Sequence, residues 1–178
     1  MKLFVCGHGR NGKDQAAEFI NKRLGLTFKS SSRFAAETVV MPYLADLGIK
    51  YESIEDCYED RFNHRELWKE AITRYNESDL TRLSRRIFEK YDMYVGIRCH
   101  REFLKAKHLS DLSIWIDATS RVEESDKTCT ITPDMCDVRI DNNGTLEDFE
   151  SKIARLCNLL KPSVRKVDPK EFLESIAQ

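Results

Sequence analysis

The chain has no C-x-x-C pair, although it carries six cysteines in 178 residues. That absence argues against a zinc site, because structural zinc is held by closely spaced thiolate pairs. No run approaches the ~18 apolar residues of a membrane span. Met1-Lys2 leads straight into an apolar segment, which predicts no secretory leader. Charge of one sign is also missing. The 29 Lys and Arg are matched by 30 Asp and Glu, for a net charge of −1. No global basic field therefore announces a polyanion, and only a local groove could hold one. Glycine is scarce, at seven residues, and proline scarcer, at four. There are no internal repeats or low-complexity segments, and an apolar fraction of 41% suits one globular core.

Three of the seven glycines fall within six positions, in Lys2-Leu3-Phe4-Val5-Cys6-Gly7-His8-Gly9-Arg10-Asn11-Gly12-Lys13-Asp14. This stretch fits G-x-x-x-x-G-K-[ST] at every fixed position except the last, where Asp14 replaces the hydroxyl. Leu3–Cys6 reads as a buried strand. Ala16, Ala17, Phe19, Ile20 and Leu24 follow at helical spacing, with Gly25 as C-cap. A glycine-rich turn between a strand and a helix can point backbone N–H groups inward at phosphate oxygens, and the helix directs its positive end at the same point. Gly7, His8, Gly9, Arg10, Asn11, Gly12, Lys13, Asp14 and Gln15 are therefore the candidate nucleoside-triphosphate cradle. Lys13 is the cation for the β- and γ-phosphates, and Asp14 a direct or water-mediated holder of Mg²⁺.

Further along, the spacing predicts a short strand at 27–29 and an N-cap at Ser30–Ser32. A helix follows from Arg33 to Leu47, interrupted near Pro42 and closed by Gly48. Residues 54–60 read as a connecting segment. Helices follow at 61–75 and 80–91, a strand at 93–96 and a short helix at 101–107. The next strand is 112–117, followed by a polar loop at 120–128, a last strand at 138–140 and a helix at 146–160 capped by Thr145. Strands alternating with helices predict a three-layer α/β fold with a central parallel sheet. A domain of 1–160 precedes a charged tail of 161–178. Cys6 in a strand and Cys157 on a helix's apolar face are expected to be reduced core thiols, as in a cytoplasmic protein.

In parallel sheets ligands bind beyond the C-terminal strand ends. Arg98 and Arg101, after the third strand, are the candidates to stabilise a migrating phosphoryl group. Ser30, Ser31, Ser32 and Arg33, after the second strand, are placed to meet an acceptor, joined by Asp60 and His64. Asp117, ending the fourth strand, is a second metal candidate. Asn142-Asn143-Gly144-Thr145, after the last strand, resembles the adenine-side turn of small-molecule P-loop kinases, which implies Asn143 and Gly144 as nucleobase-side groups. An acid at the end of the third strand is missing, so the general base stays open among Asp14, Asp60 and Asp117.

With Gly12-Lys13-Asp14 and Tyr94-Val95-Gly96-Ile97-Arg98 in view, residues 1–160 resemble the phage branch of P-loop nucleotide kinases. Members of that branch carry Gly-Lys-Asp at this place, and its plan is similar to thymidylate and dephospho-coenzyme A kinases. Together with Ser30-Ser31-Ser32-Arg33-Phe34-Ala35-Ala36-Glu37, the pattern looks closest to the 5-hydroxymethyluridine DNA kinases. The resemblance implies a kinase using ATP and Mg²⁺ in a host cytoplasm. Its acceptor would be the base hydroxymethyl group in phage DNA, in a step toward thymine hypermodification. A free deoxynucleoside monophosphate is the alternative acceptor, and a nucleotide-binding switch without turnover the remote one. No Arg-rich lid insert is obvious between Arg101 and Leu112. A lid normally keeps water from the transferring phosphate, whereas a polymer acceptor could cover the site itself, which favours DNA. The residues to hold it would be a stripe of Arg82, Arg85, Arg86, Arg98, Arg101, Lys105 and Lys107. No membrane partner is expected, and oligomeric state, a dimer included, stays open.

Overall fold

The computed structural model describes residues 1–122 and 129–164. Its centre is a five-stranded, wholly parallel sheet in the order β2-β3-β1-β4-β5. The strands are β1 (Leu3–Cys6), β2 (Phe28–Ser30), β3 (Met93–Val95), β4 (Leu112–Asp117) and β5 (Val138–Asp141). The three-layer α/β expectation therefore holds.

Both faces of the sheet are covered, which is why its strands read as unbroken apolar runs rather than alternating ones. Leu3 and Val5 of β1, Met93 and Val95 of β3, and Ile114 and Ile116 of β4 face one side. There they pack on α1 (Lys13–Leu24) and α8 (Leu146–Val164), through Ala16, Ala17, Ile20, Phe149 and Ile153. Phe4, Cys6, Tyr94 and Trp115 face the other side. Phe4 lies at its centre, with ring centroids 5.0 Å from Phe88, 5.4 Å from Phe103 and 5.4 Å from Tyr94. Each such fully buried ring contributes about 1.5–3 kcal/mol.

The second face carries a set of shorter helices. These are α2 (Ser31–Ala35), α3 (Met41–Asp46), α4 (Ile54–Glu59), α5 (Arg65–Asn76), α6 (Arg82–Lys90) and α7 (His100–Ala106). Between α2 and α3, Ala36–Val40 form a π turn closed by the Met41 N–H on the Ala36 carbonyl. Pro42 follows at once. It has no N–H to offer the preceding turn, and the wider turn makes room for its ring. The expected interruption near Pro42 is thus a π turn inside one continuous helical run.

Three expectations need correction. Residues 54–60 are not a connecting segment, because Ser53 accepts the Asp56 N–H at 3.1 Å and nucleates α4. The helix expected from residue 61 begins at Arg65 after a 3₁₀ turn at Asp60–Phe62. The last helix extends to Val164 rather than stopping at 160. Residues 123–128 of the expected polar loop, and the tail from 165 onward, lie outside the described residues. None of the six cysteines is in a disulfide, and Cys6, Cys57 and Cys157 are buried. Among the described residues no helix is long and apolar enough to cross a membrane.

Candidate functional site

The loop from β1 to α1 has the backbone its glycines suggest. Gly7, Arg10 and Gly12 have φ of 144°, 65° and 90°. Two of the three are also close approaches. A Cβ on Gly7 would lie 2.6 Å from the Ile116 carbonyl oxygen, and one on Gly12 2.5 Å from Asn142 Nδ2. Backbone of this kind at a helix start can turn N–H groups toward an anion, and is the candidate cradle. Gly12 is the N-cap of α1, and Lys13 opens the helix. Lys13 Nζ donates to the His8 carbonyl at 2.5 Å, so the ammonium arches back over the loop. The His8 ring stands edge-on to Trp115 at 5.1 Å. Gln15 donates to Glu18 at 3.1 Å along the helix surface. Asp14 is exposed in the first turn, the favourable end of the helix for a carboxylate.

The other expected groups come to the same edge from the neighbouring strands. Gly96 follows β3 with φ 91°, and a Cβ there would sit 3.2 Å from Ser31 Oγ and 3.7 Å from Lys13 Cε. The ends of β1, β2 and β3 therefore converge on the Lys13 side chain. Ser31 donates to the Gly96 carbonyl at 3.0 Å, and Ser30 and Ser32 share a hydrogen bond of 3.0 Å. Arg98 and Arg101 are exposed just beyond. The Arg98 backbone is pinned from across the site, since its carbonyl accepts the Thr130 N–H at 2.8 Å.

Arg33 belongs to a clamp that its sequence neighbourhood did not disclose. Its guanidinium pairs with Glu55 and lies 4.4 Å from the centre of the Tyr58 ring, both on α4. The Glu55 hydrogen bond holds the Arg33 pKa above its ordinary value, and the charge of Asp14 on α1 acts in the same direction. The order of cations and rings continues outward. Arg61 lies 4.0 Å from Tyr58 and 4.2 Å from Phe62, and Phe62 is 59% exposed. Asp60 and His64 form a local cluster beside it. The Asp60 carboxylate accepts Tyr51 Oη at 2.6 Å and Asn63 Nδ2 at 2.5 Å, with His64 Nε2 at 3.2 Å. The Tyr51 bond is the main cause that keeps its pKa below the ordinary carboxylate value.

Asp117 is differently placed from Asp14. It is 2% exposed, pairs with Arg139 of β5 and accepts the Thr119 N–H at 3.1 Å. Burial would raise its pKa, but those bonds outweigh burial and lower it. Both of its oxygens thus have partners here, whereas the Asp14 carboxylate is exposed. Among the described residues no three His, Cys, Asp or Glu side chains gather as a metal site. The single exposed carboxylate of Asp14 beside the loop would suit Mg²⁺, which keeps several waters and takes other ligands from phosphate oxygens.

The Asn143-Gly144 turn adjoins the cradle. Asn143 Oδ1 accepts the Ser120 N–H at 2.8 Å, and Arg121 Nε donates to the Asn142 carbonyl at 2.6 Å. Sequence reasoning placed Asn142 in this turn without its contact to the loop, and overlooked Arg121. The signal available was position: each follows the C-terminal end of a parallel strand. Four residues of the expected basic stripe each meet a local partner. Arg82 lies 4.3 Å from the Tyr75 ring, Arg85 pairs with Asp79, and Arg86 meets Glu89 at 2.9 Å. Lys107 meets Asp137 at 2.8 Å, at the far end of α7 from the cradle.

No protein-family model matches the chain, and no curated protein matches its sequence. Among solved structures it is similar to an unliganded sugar kinase from Janibacter sp. HTCC2649, at 16% identity and a TM-score of 0.48. That match covers 92% of this chain and 96% of the other. It is also similar to shikimate kinase from Aquifex aeolicus vf5, at 13% identity and a TM-score of 0.49, over 91% of this chain and 98% of that one.

Proposed function

We propose that the chain is an ATP- and Mg²⁺-dependent kinase whose acceptor is the 5-hydroxymethyl group of deoxyuridine in DNA. The observation that carries the kinase reading is the cradle itself: positive φ at Gly7, Arg10 and Gly12, with Lys13 arched over the loop at the start of α1. Phosphoryl transfer asks mainly for positioning and charge stabilisation. The loop amides and Lys13 would hold the donor phosphates. Asp14 would hold Mg²⁺, which neutralises developing phosphate charge when bound. Arg98 and Arg101, exposed at the β3 edge, would meet the migrating group, and Asn143-Gly144 the nucleobase. In the reaction the acceptor oxygen forms a bond to the γ-phosphorus. The bond from that phosphorus to the β,γ-bridging oxygen breaks, the hydroxyl proton is released and ADP leaves.

The DNA acceptor rests on the resemblance of the Ser30–Glu37 and Tyr94–Arg98 segments. It is supported by the run of Arg33, Tyr58 and Arg61 leading to the exposed Phe62, where a cationic surface ends in a ring on which an unstacked base could stack. The test is transfer from γ-labelled ATP to a panel of free deoxynucleoside monophosphates beside DNA containing 5-hydroxymethyluracil. Label in the DNA alone is expected. Label in a free nucleotide alone would overturn the acceptor, and ATP binding without transfer to any acceptor would overturn the kinase.

A further inference from the structure

We infer that Asn142 is a positioning residue for the phosphate cradle, acting through the Asn11–Gly12 peptide. The inference rests on the phosphate-binding reading above and assigns a role to a residue outside the cradle. A closed ring of hydrogen bonds carries it. Asn142 Nδ2 donates to the Asn11 carbonyl at 2.9 Å. The Asn142 backbone N–H donates to the Asp117 carbonyl at 2.6 Å. One residue back, the Ile116 carbonyl accepts Asn11 Nδ2 at 3.1 Å. The two amides that close the ring are buried, with Asn11 2% and Asn142 6% exposed. A satisfied polar network in such surroundings fixes geometry, because each bond lost would leave a dry polar group.

The peptide geometry supplies the functional consequence. The chain has no cis peptide bond among its described residues. In a trans peptide the C=O of one residue and the N–H of the next point in opposite directions. With the Asn11 carbonyl held toward Asn142, the Gly12 N–H is turned away from Asn142. That N–H is one of the amides that a cradle at the start of α1 presents to phosphate. Gly12 has no side chain to resist rotation, and at φ 90° it lies where the backbone is freest only for glycine. Its orientation must therefore come from outside the loop, and Asn142 Nδ2 is the group that supplies it. The same residue receives Arg121 Nε on its carbonyl at 2.6 Å, and its neighbour Asn143 holds Ser120. The β5–α8 turn and the phosphate loop thus move as one body.

The chain offers a selective probe. Asn-Gly occurs twice, at Asn11-Gly12 and Asn143-Gly144. Carbonyl-¹³C asparagine with ¹⁵N-glycine therefore isolates two amide signals, and Gly144→Ala identifies the second by its loss. In the full-length protein the Gly12 signal is expected to move on addition of inorganic tripolyphosphate. Asn142→Asp keeps the shape but cannot donate to the Asn11 carbonyl. It is expected to remain folded, to lose the Gly12 shift, and to bind tripolyphosphate and ATP alike roughly tenfold more weakly. Asn142→Ala, which removes the donor without adding charge, is expected to show the same parallel loss. A residue needed only for stability would lower the melting temperature and leave affinity and the Gly12 shift intact, which would overturn the inference alone. Wild-type protein that binds neither tripolyphosphate nor ATP would overturn the kinase reading and this inference with it.

Discussion

The two sides of the Lys13 edge are built on different principles. On the α1/α8 side the site is backbone and buried amide: Gly7 against the Ile116 carbonyl, Gly12 against Asn142, Asn11 against Ile116. On the α2–α6 side it is side chain on side chain at the surface. Arg33 is clamped by Glu55 and Tyr58, Asp60 is ringed by Tyr51, Asn63 and His64, and Arg61 lies between two rings. Buried backbone contacts tolerate almost no displacement, whereas exposed ion pairs are worth little and re-form easily. On the proposed kinase reading, the α1/α8 side would be the donor side, and it can be rigid because every donor substrate presents the same polyphosphate. The α2–α6 side would be the acceptor side, where adjustable side chains rather than the fold would choose the partner.

The largest effect should come from removing the cradle's charge. Lys13→Ala is expected to lower transfer by roughly a thousandfold or more while leaving the fold intact. Transfer that survives in single-turnover assays would mean the two sides had been assigned wrongly. Gly7→Ala should follow, with damage of another kind. Its φ of 144° and the Ile116 carbonyl 2.6 Å from the new Cβ leave no room, and that oxygen belongs to the sheet. A loss of about 3 kcal/mol in denaturant unfolding is expected, together with lost ATP binding. Full stability in that variant would show the donor side to be as adjustable as the acceptor side.

The contrast also explains which parts of the molecule were legible in the sequence. The donor side is local. Gly7, Gly12 and Lys13 declare a turn and a cation in seven residues, and the apolar runs of β1 and β4 declare buried strands. Ser53 and Asp56 were an equally local signal for α4, obscured because the helix is only six residues long. What the sequence hid depends on contacts across long stretches of chain. Asn142 touches Asn11 from 131 positions away, and Arg33 meets Glu55 only once α4 exists. Asp117 pairs with Arg139 on the next strand, a partner that nothing nearby in sequence announces. Of the α6 charges that suggested a stripe, Arg85 pairs with Asp79 in the turn before the helix and Arg86 with Glu89 one turn on.

The acceptor side is sharpened by Arg33→Ala. Its pair with Glu55 is half exposed on both partners, so the stability change should be only about 0–1 kcal/mol. The acceptor KM should rise on the order of tenfold while the KM for ATP stays nearly constant. An effect confined to ATP would move Arg33 to the donor side and dissolve the distinction.

The smallest effect belongs to the seam between β4 and β5. Asp117 has a lowered pKa because Arg139 and the Thr119 N–H outweigh its burial. A carboxylate whose folded pKa is depressed stabilises the native state above its ordinary value of about 3.9, and the contribution is lost as pH falls through the folded value. Asp117→Asn should therefore cost about 1 kcal/mol at neutral pH, a modest sum because Arg139 is 59% exposed and can turn to water. Thermal melts taken down to about pH 2.5 should show the gap between wild type and variant closing as Asp117 protonates. Because the Asp117 carbonyl also receives the Asn142 N–H, the variant reads the donor side's foundation without touching the cradle. A gap that widened in acid would mean that the carboxylate is held against its charge, and that Arg139 is not what keeps this strand end in place.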